Sequence, residues 1–180
     1  MSEMRILTVR QPWAWAIIHA GKDVENRVRN IAGSYRGPVA IHVARVVDES
    51  LLDYEHPQAG MIYAPCASGR ALDHNSLTCA WCSKIEPRRW LDGGTIIGVV
   101  DLVDVHHSSH LGGCTDTNAR SHMRRELCSP WAEADTTHLV FEHPRLLAEP
   151  IPYRGALGLR RLDEDTITKI TAALAAERTT

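Results

Sequence analysis

The chain predicts an α+β domain: a small, partly closed β-barrel with helices packed on it. Three observations carry this reading. Apolar, β-branched segments of strand length recur along the 180 residues, and the helical segments fall between them irregularly. A doubly wound sheet would alternate the two regularly. Apolar residues make up 44% of the chain, enough for one core in a chain of single-domain length. The segment Trp13–Ala20 is apolar nearly all round, with Trp13, Ala16, Ile17 and Ala20 on one helical face and Trp15 and Ile18 opposite. Such a helix plugs a core instead of lying on a surface.

In order, Ile6–Val9 reads as a strand and Arg10-Gln11-Pro12 as a turn. Pro12 suits the first helical position, where its missing N–H costs nothing, and Gly21 can take the left-handed conformation that closes the helix. Lys22, Asp23, Glu25 and Arg27 follow at once, dense charge leaving a buried element, and this change marks a candidate site. Tyr35-Arg36-Gly37-Pro38 is a turn, Val39–Ala44 a strand and Val46–Tyr54 a short helix. Residues 60–94, with Pro65, Gly69, Pro87 and a Gly-Gly pair, show little periodicity and read as an insertion or lid. Thr95–Val105 is the strongest strand, and Gly98 within it marks a bulge or a close backbone approach. A polar stretch over 106–118 leads to a helix over Ala119–Cys128, which Ser129-Pro130-Trp131 ends. Thr137–Glu142 is a strand, Leu146–Pro152 an extended piece, and Ala156–Arg160 a final strand after the turn at Tyr153-Arg154-Gly155. One domain thus covers residues 1–162. Ile167, Ile170 and Leu174 then stripe a tail helix over 163–180, which Asp163 or Asp165 can cap.

A net charge of −2 is no global signature of a nucleic-acid binder, so any basic surface is local. No apolar run is long enough to span a bilayer, and the start MSEMR carries no hydrophobic signal segment. The expectation is a cytoplasmic protein without a membrane partner. Five cysteines, an odd number in a reducing compartment, point to thiols or metal ligands over a disulfide framework.

Several segments together resemble the ASCH family, the domain at the end of a transcription coactivator. They are Leu7-Thr8-Val9-Arg10-Gln11-Pro12-Trp13-Ala14, Gly21-Lys22-Asp23-Val24-Glu25-Asn26-Arg27, Tyr35-Arg36-Gly37 with Ile41-His42, the strand Ile97–Asp104, Ser129-Pro130-Trp131, and Pro152–Leu159. The resemblance implies a PUA-like β-barrel, a fold associated with RNA and DNA binding. One branch of the family removes the acyl group from acetylated cytidine, and another is described as cutting RNA. In the hydrolase branch the charged segment runs Lys-x-x-Thr-x-Arg with threonine as nucleophile. Lys22 and Arg27 match, but Glu25 stands at the threonine position. A carboxylate would form a labile anhydride on acyl transfer, although it can still act as a general base on water. The branch's catalytic glutamate falls in a less alignable region, where Glu126 and Glu133 are the candidates.

On their own chemistry, residues 23–28 in extended conformation put Asp23, Glu25 and Arg27 on one side and Lys22, Val24 and Asn26 on the other. Lys22 in a low-dielectric cleft can lose its charge and act as a base. Glu25 can accept from a nucleobase amine, or Glu25 and Arg27 form a purely structural pair. Arg10, Lys22, Arg27, Arg36 and Arg154 offer phosphate contacts, and an exposed tryptophan can stack a base. Helical spacing puts Trp13 in the core, whereas Trp131, after a Ser-Pro stop, lies in the core or at the cleft mouth. Gln11 reads a base edge or caps the first helix, and both Tyr-Arg-Gly segments are contacts or simple turns.

Cys79-Ala80-Trp81-Cys82 has the spacing of half a zinc site, which Cys66 and His74 can complete. His106, His107, His110 and Cys114 form a second, looser cluster, with solvated loop histidines as the plain alternative. No cofactor is required, and a structural zinc is the one metal the pattern suggests. The favoured function is recognition of RNA, or of a single-stranded or modified base, in a cleft beside the first helix. Lys22, Glu25 and Arg27 form its centre, with Gln11, Arg36, Trp131 and Arg154 in support. The alternatives are a small hydrolase of a modified nucleoside or RNA, with Lys22, Glu25 and Arg27 as the catalytic group, and a protein-interaction module.

Overall fold

A computed structural model describes residues 3–49, 58, 61, 92–111, 113–114 and 126–177. Among them the chain is α+β, with six strands and two helices: β1 (Arg5–Val9), α1 (Trp13–His19), β2 (Val24–Arg27), β3 (Gly37–Val43), β4 (Thr95–His107), β5 (Thr137–Pro152), β6 (Leu159–Arg161) and α2 (Glu164–Glu177). The strands form one curled, half-barrel sheet in the order β2-β5-β4-β3-β1-β6. β1 runs parallel to β3, with Leu7 opposite Ile41, and antiparallel to β6. The remaining pairs are antiparallel.

Side chains alternate across the sheet, so each strand feeds two cores. On one face Leu7, Val9, Ile41, Val100 and Leu102 pack with Ala14, Ile17 and Ile18 of α1. On the other, Ile6, Ala40, Ile96, Val99 and Leu147 pack with Ile167 and Ile170 of α2. The first helix is indeed sunk: Ala14 and Ala16 are inaccessible, and Trp15, Ile17 and Ile18 are buried. α2 bonds to Asp163, whose carboxylate accepts from the Thr166 N–H at 2.8 Å and from its hydroxyl at 2.9 Å.

Several expectations shift. Pro12 stands just before the first helical residue instead of at it. Thr137–Glu142 and Leu146–Pro152 are parts of one 16-residue strand. The prolines that split it in sequence sit where the register with β4 slips, His143-Pro144 between two pairs and Pro150 between two others. β2 pairs with residues 137–140 of β5, so among the described residues the rest of that edge has no second β-ladder to break there. Gly98 combines both features expected of it, a register slip and a close approach. A Cβ there would lie 2.6 Å from the Arg145 carbonyl oxygen and 2.7 Å from Ile18 Cδ1. The final strand begins at Leu159, not Ala156. Residues 126–128 are not helical, and the rest of the helix expected over 119–128 lies outside the described residues, as do most of Val46–Tyr54 and of 60–94. No helix among the described residues is long and apolar enough to cross a membrane.

Candidate functional site

The end of α1 aims the charged segment. The Ala20 and Lys22 N–H groups both return to the Ala16 carbonyl, at 2.9 and 3.1 Å, and Gly21 between them takes φ +70°. Lys22 therefore leaves the helix before β2 begins at Val24, and strand alternation does not apply to it. Its ammonium turns back to donate to the Val24 carbonyl at 2.5 Å and lies 3.8 Å from Glu25 Oε2. Arg27 reaches the other carboxylate oxygen at 3.0 Å and donates to the Thr8 carbonyl at 3.2 Å. Lys22, Glu25 and Arg27 are thus one connected group, with Lys22 3% exposed and Glu25 9%.

Two indoles enclose the lysine, with Nζ 5.1 Å from the Trp13 ring centre and 5.6 Å from that of Trp131. Burial pushes the Lys22 pKa below 10.5, against the opposing pull of Glu25, Glu133 and Asp23, while Arg27 adds to the lowering. Trp13, Lys22, Glu25, Asn26, Gln58 and Glu133 line a mainly polar cavity of about 330 Å³.

The segment 129–133 brings Glu133 into the cavity lining and is stapled to β2. The Ser129 hydroxyl donates to Asp23, and the Trp131 N–H to Ser129 Oγ. The Trp131 carbonyl accepts from Asn26 Nδ2 at 2.9 Å and Gln58 Nε2 at 3.1 Å, and the Glu133 N–H donates to Asn26 Oδ1. Trp131, 4% exposed, is buried against Lys22 behind the cavity lining and is no stacking platform at the cavity mouth. Glu133 was one of two candidates for a second carboxylate, and it lines the cavity. Glu126 does not appear in that lining.

The supporting residues lie elsewhere. Gln11 is buried, and its Oε1 accepts the Trp15 N–H at 2.9 Å, so it caps α1. Arg36 is exposed and donates to the carbonyls of Gly33 and Tyr35, with Asp104 3.8 Å away. Arg154 lines a separate groove of about 750 Å³ with His42, Arg45, Tyr153 and Leu157, which shares no lining residue with the Lys22 cavity. The zinc ligands suggested by spacing, Cys66, His74, Cys79 and Cys82, lie outside the described residues.

A second constellation was only half visible in the sequence. His106, Cys114, Cys128 and His138 bring one ligand atom each within 4.8 Å of all the others and could hold a metal ion. His106 and Cys114 came from the loose cluster, while His107 and His110 are exposed. His138 joins because it is the register partner of His106 across β4 and β5. Two facing histidines on neighbouring strands were the signal that could have found it. Burial, with Cys114 beside it, pushes the Cys128 thiol up to about 12.

No known family model matches the chain, and no curated protein matches it.

Proposed function

We propose that the chain is a nucleic-acid-binding domain of the PUA-like, ASCH type that takes a single unpaired base of RNA, or a modified nucleoside, into the Lys22 cavity. The curled half-barrel with α1 sunk in one face supports the fold assignment. The observation that carries the function is the buried Lys22 ammonium between Trp13 and Trp131, joined to Glu25 in the wall of a polar cavity of about 330 Å³. That volume accommodates one heterocycle, as pockets for extruded bases do. Among the described residues the Val24 carbonyl takes one of the three Lys22 donors and Glu25 Oε2 stands at ion-pair distance, 3.8 Å away, so a donor remains for a base carbonyl. Glu25 and Glu133 are acceptors for an exocyclic amine.

Titration of the protein with single-stranded RNA oligomers and with cytidine and acetylated cytidine, read by tryptophan fluorescence across a salt series, tests this. Saturable quenching is expected, with oligomer affinity falling as salt rises. Lys22→Met and Glu25→Gln should each weaken binding at least roughly tenfold, the loss of one charged hydrogen bond. No response to any of these ligands at low salt, or variants that bind as well as the parent, would rule the reading out.

One observation favours a second reading, a hydrolase of a modified nucleoside. Burial lowers the Lys22 pKa, and Lys22 lines the same cavity as the carboxylates of Glu25 and Glu133, groups of the kinds that move protons in hydrolysis. Acetate release from acetylated cytidine, abolished in Lys22→Met, would select it over binding alone.

A further inference from the structure

We propose that His106, Cys114, Cys128 and His138 bind a structural zinc ion that fixes the wall of the Lys22 cavity. The site is distinct from the cavity, and it stands whether or not a base is bound there.

The protonation pattern comes first. His106 Nδ1 lies 2.7 Å from Asp104 Oδ2, and His138 Nε2 lies 2.8 Å from the Glu133 carbonyl. Both partners are acceptors, so these outer nitrogens carry the protons. The inner nitrogens, His106 Nε2 and His138 Nδ1, then present lone pairs to one another at 3.3 Å. Cys114 Sγ and Cys128 Sγ lie 3.5 and 3.3 Å from the same His138 nitrogen, and the Cys128 N–H donates to Cys114 Sγ. Four electron-rich atoms converge on one point, an arrangement that a cation at its centre resolves.

The dimensions agree with that centre. A tetrahedron with Zn–N of about 2.0–2.1 Å and Zn–S of about 2.3 Å has N···N edges of about 3.3 Å and N···S edges of about 3.5 Å. The observed N···N separation is 3.3 Å and the two N···S separations are 3.5 and 3.3 Å. Two thiolates with two imidazoles are a zinc donor set. The carboxylate and the carbonyl behind the imidazoles are the outer partners that set tautomer and ring orientation at such sites. Four protein ligands leave no open position. Cys114 and His138 are 1% and 0% exposed, and the His106 side chain 7%. The ion is therefore structural instead of catalytic.

Its effect falls on the neighbouring wall. Cys128 begins the short segment that carries Glu133 into the cavity lining, and the Glu133 carbonyl holds His138. The metal ties this segment to the paired strands β4 and β5, in addition to its hydrogen bonds to Asp23 and Asn26.

The test is zinc content by mass spectrometry of the full chain purified without chelator, together with Cys114→Ser/Cys128→Ser and Cys66→Ser/Cys79→Ser/Cys82→Ser. The expected result is loss of one zinc equivalent in the first variant and its retention in the second. Cobalt substitution of the parent and of the triple variant provides a readout that does not depend on the double variant folding. Both should show visible bands of tetrahedral cobalt with near-ultraviolet thiolate charge transfer. Absence of zinc from the parent after purification in zinc-containing buffer would overturn the proposal. So would full zinc retention in the double variant, or loss of the cobalt signature in the triple variant.

Discussion

At the scale of single residues, the charged group beyond α1 is unequal in its parts. Glu25 holds Lys22 on one oxygen and Arg27 on the other, so its loss leaves two cations with nothing between them. Glu25→Gln should cost about 2–3 kcal/mol in urea denaturation at neutral pH, somewhat under the range for breaking a buried pair because Arg27 is partly solvated. Lys22→Met should act in the opposite direction and stabilise by roughly 1 kcal/mol, since an apolar chain of similar size escapes the desolvation and leaves Glu25 paired with Arg27. The Lys22 pKa is lower in the folded chain than the ordinary 10.5. Between those two values the unfolded chain holds the extra proton, and parent stability rises with pH. The advantage of Lys22→Met should therefore shrink as pH approaches 10.5, which denaturation at a series of alkaline pH values will measure. This group was legible in the sequence because its members lie within six positions and one turn of backbone gathers them. Glu133 and Trp131 were less so, since Asn26 selects them from more than a hundred residues away.

At the scale of elements, β4 and β5 organise the rest. β4 was plain from its β-branched run, whereas β5 reads as two pieces because prolines and charges interrupt it where the register slips. Hydrophobic periodicity marks strands by their buried faces, and a bulged strand with one solvent edge loses that mark. The same limit hid His138, whose partnership with His106 exists only in the pairing register. The sheet also fixes how closely α1 can approach. Gly98 lies under Ile18 and against the Arg145 carbonyl, and backbone cannot retreat as a side-chain tip can. Gly98→Ala should cost about 1–3 kcal/mol by the usual penalty for overpacking, read as a lower urea midpoint with the slope unchanged. Shortening Ile18 to Val should recover only part of it.

At the scale of the whole molecule, one sheet separates two apolar layers, with α1 on one and α2 on the other. The partly closed barrel expected from the order of strands and helices is here a curled half-barrel, and the tail helix is part of its core. Ile170, fully buried against the second layer, tests that directly. Ile170→Ala should cost about 2–4 kcal/mol, against a negligible change for the exposed Lys169→Ala in the same thermal or chemical melt. A further consequence follows from the place of β1, which lies between β3 and β6 and pairs Ile6 with Arg160. Loop closure on that scale is slow. During synthesis β1 must wait for β6, which follows the other strands of the sheet, and the Ile6–Ala40–Ile96 surface stays uncovered until α2 has left the ribosome. Newly made chains stalled just short of α2 would be the ones that chaperones hold.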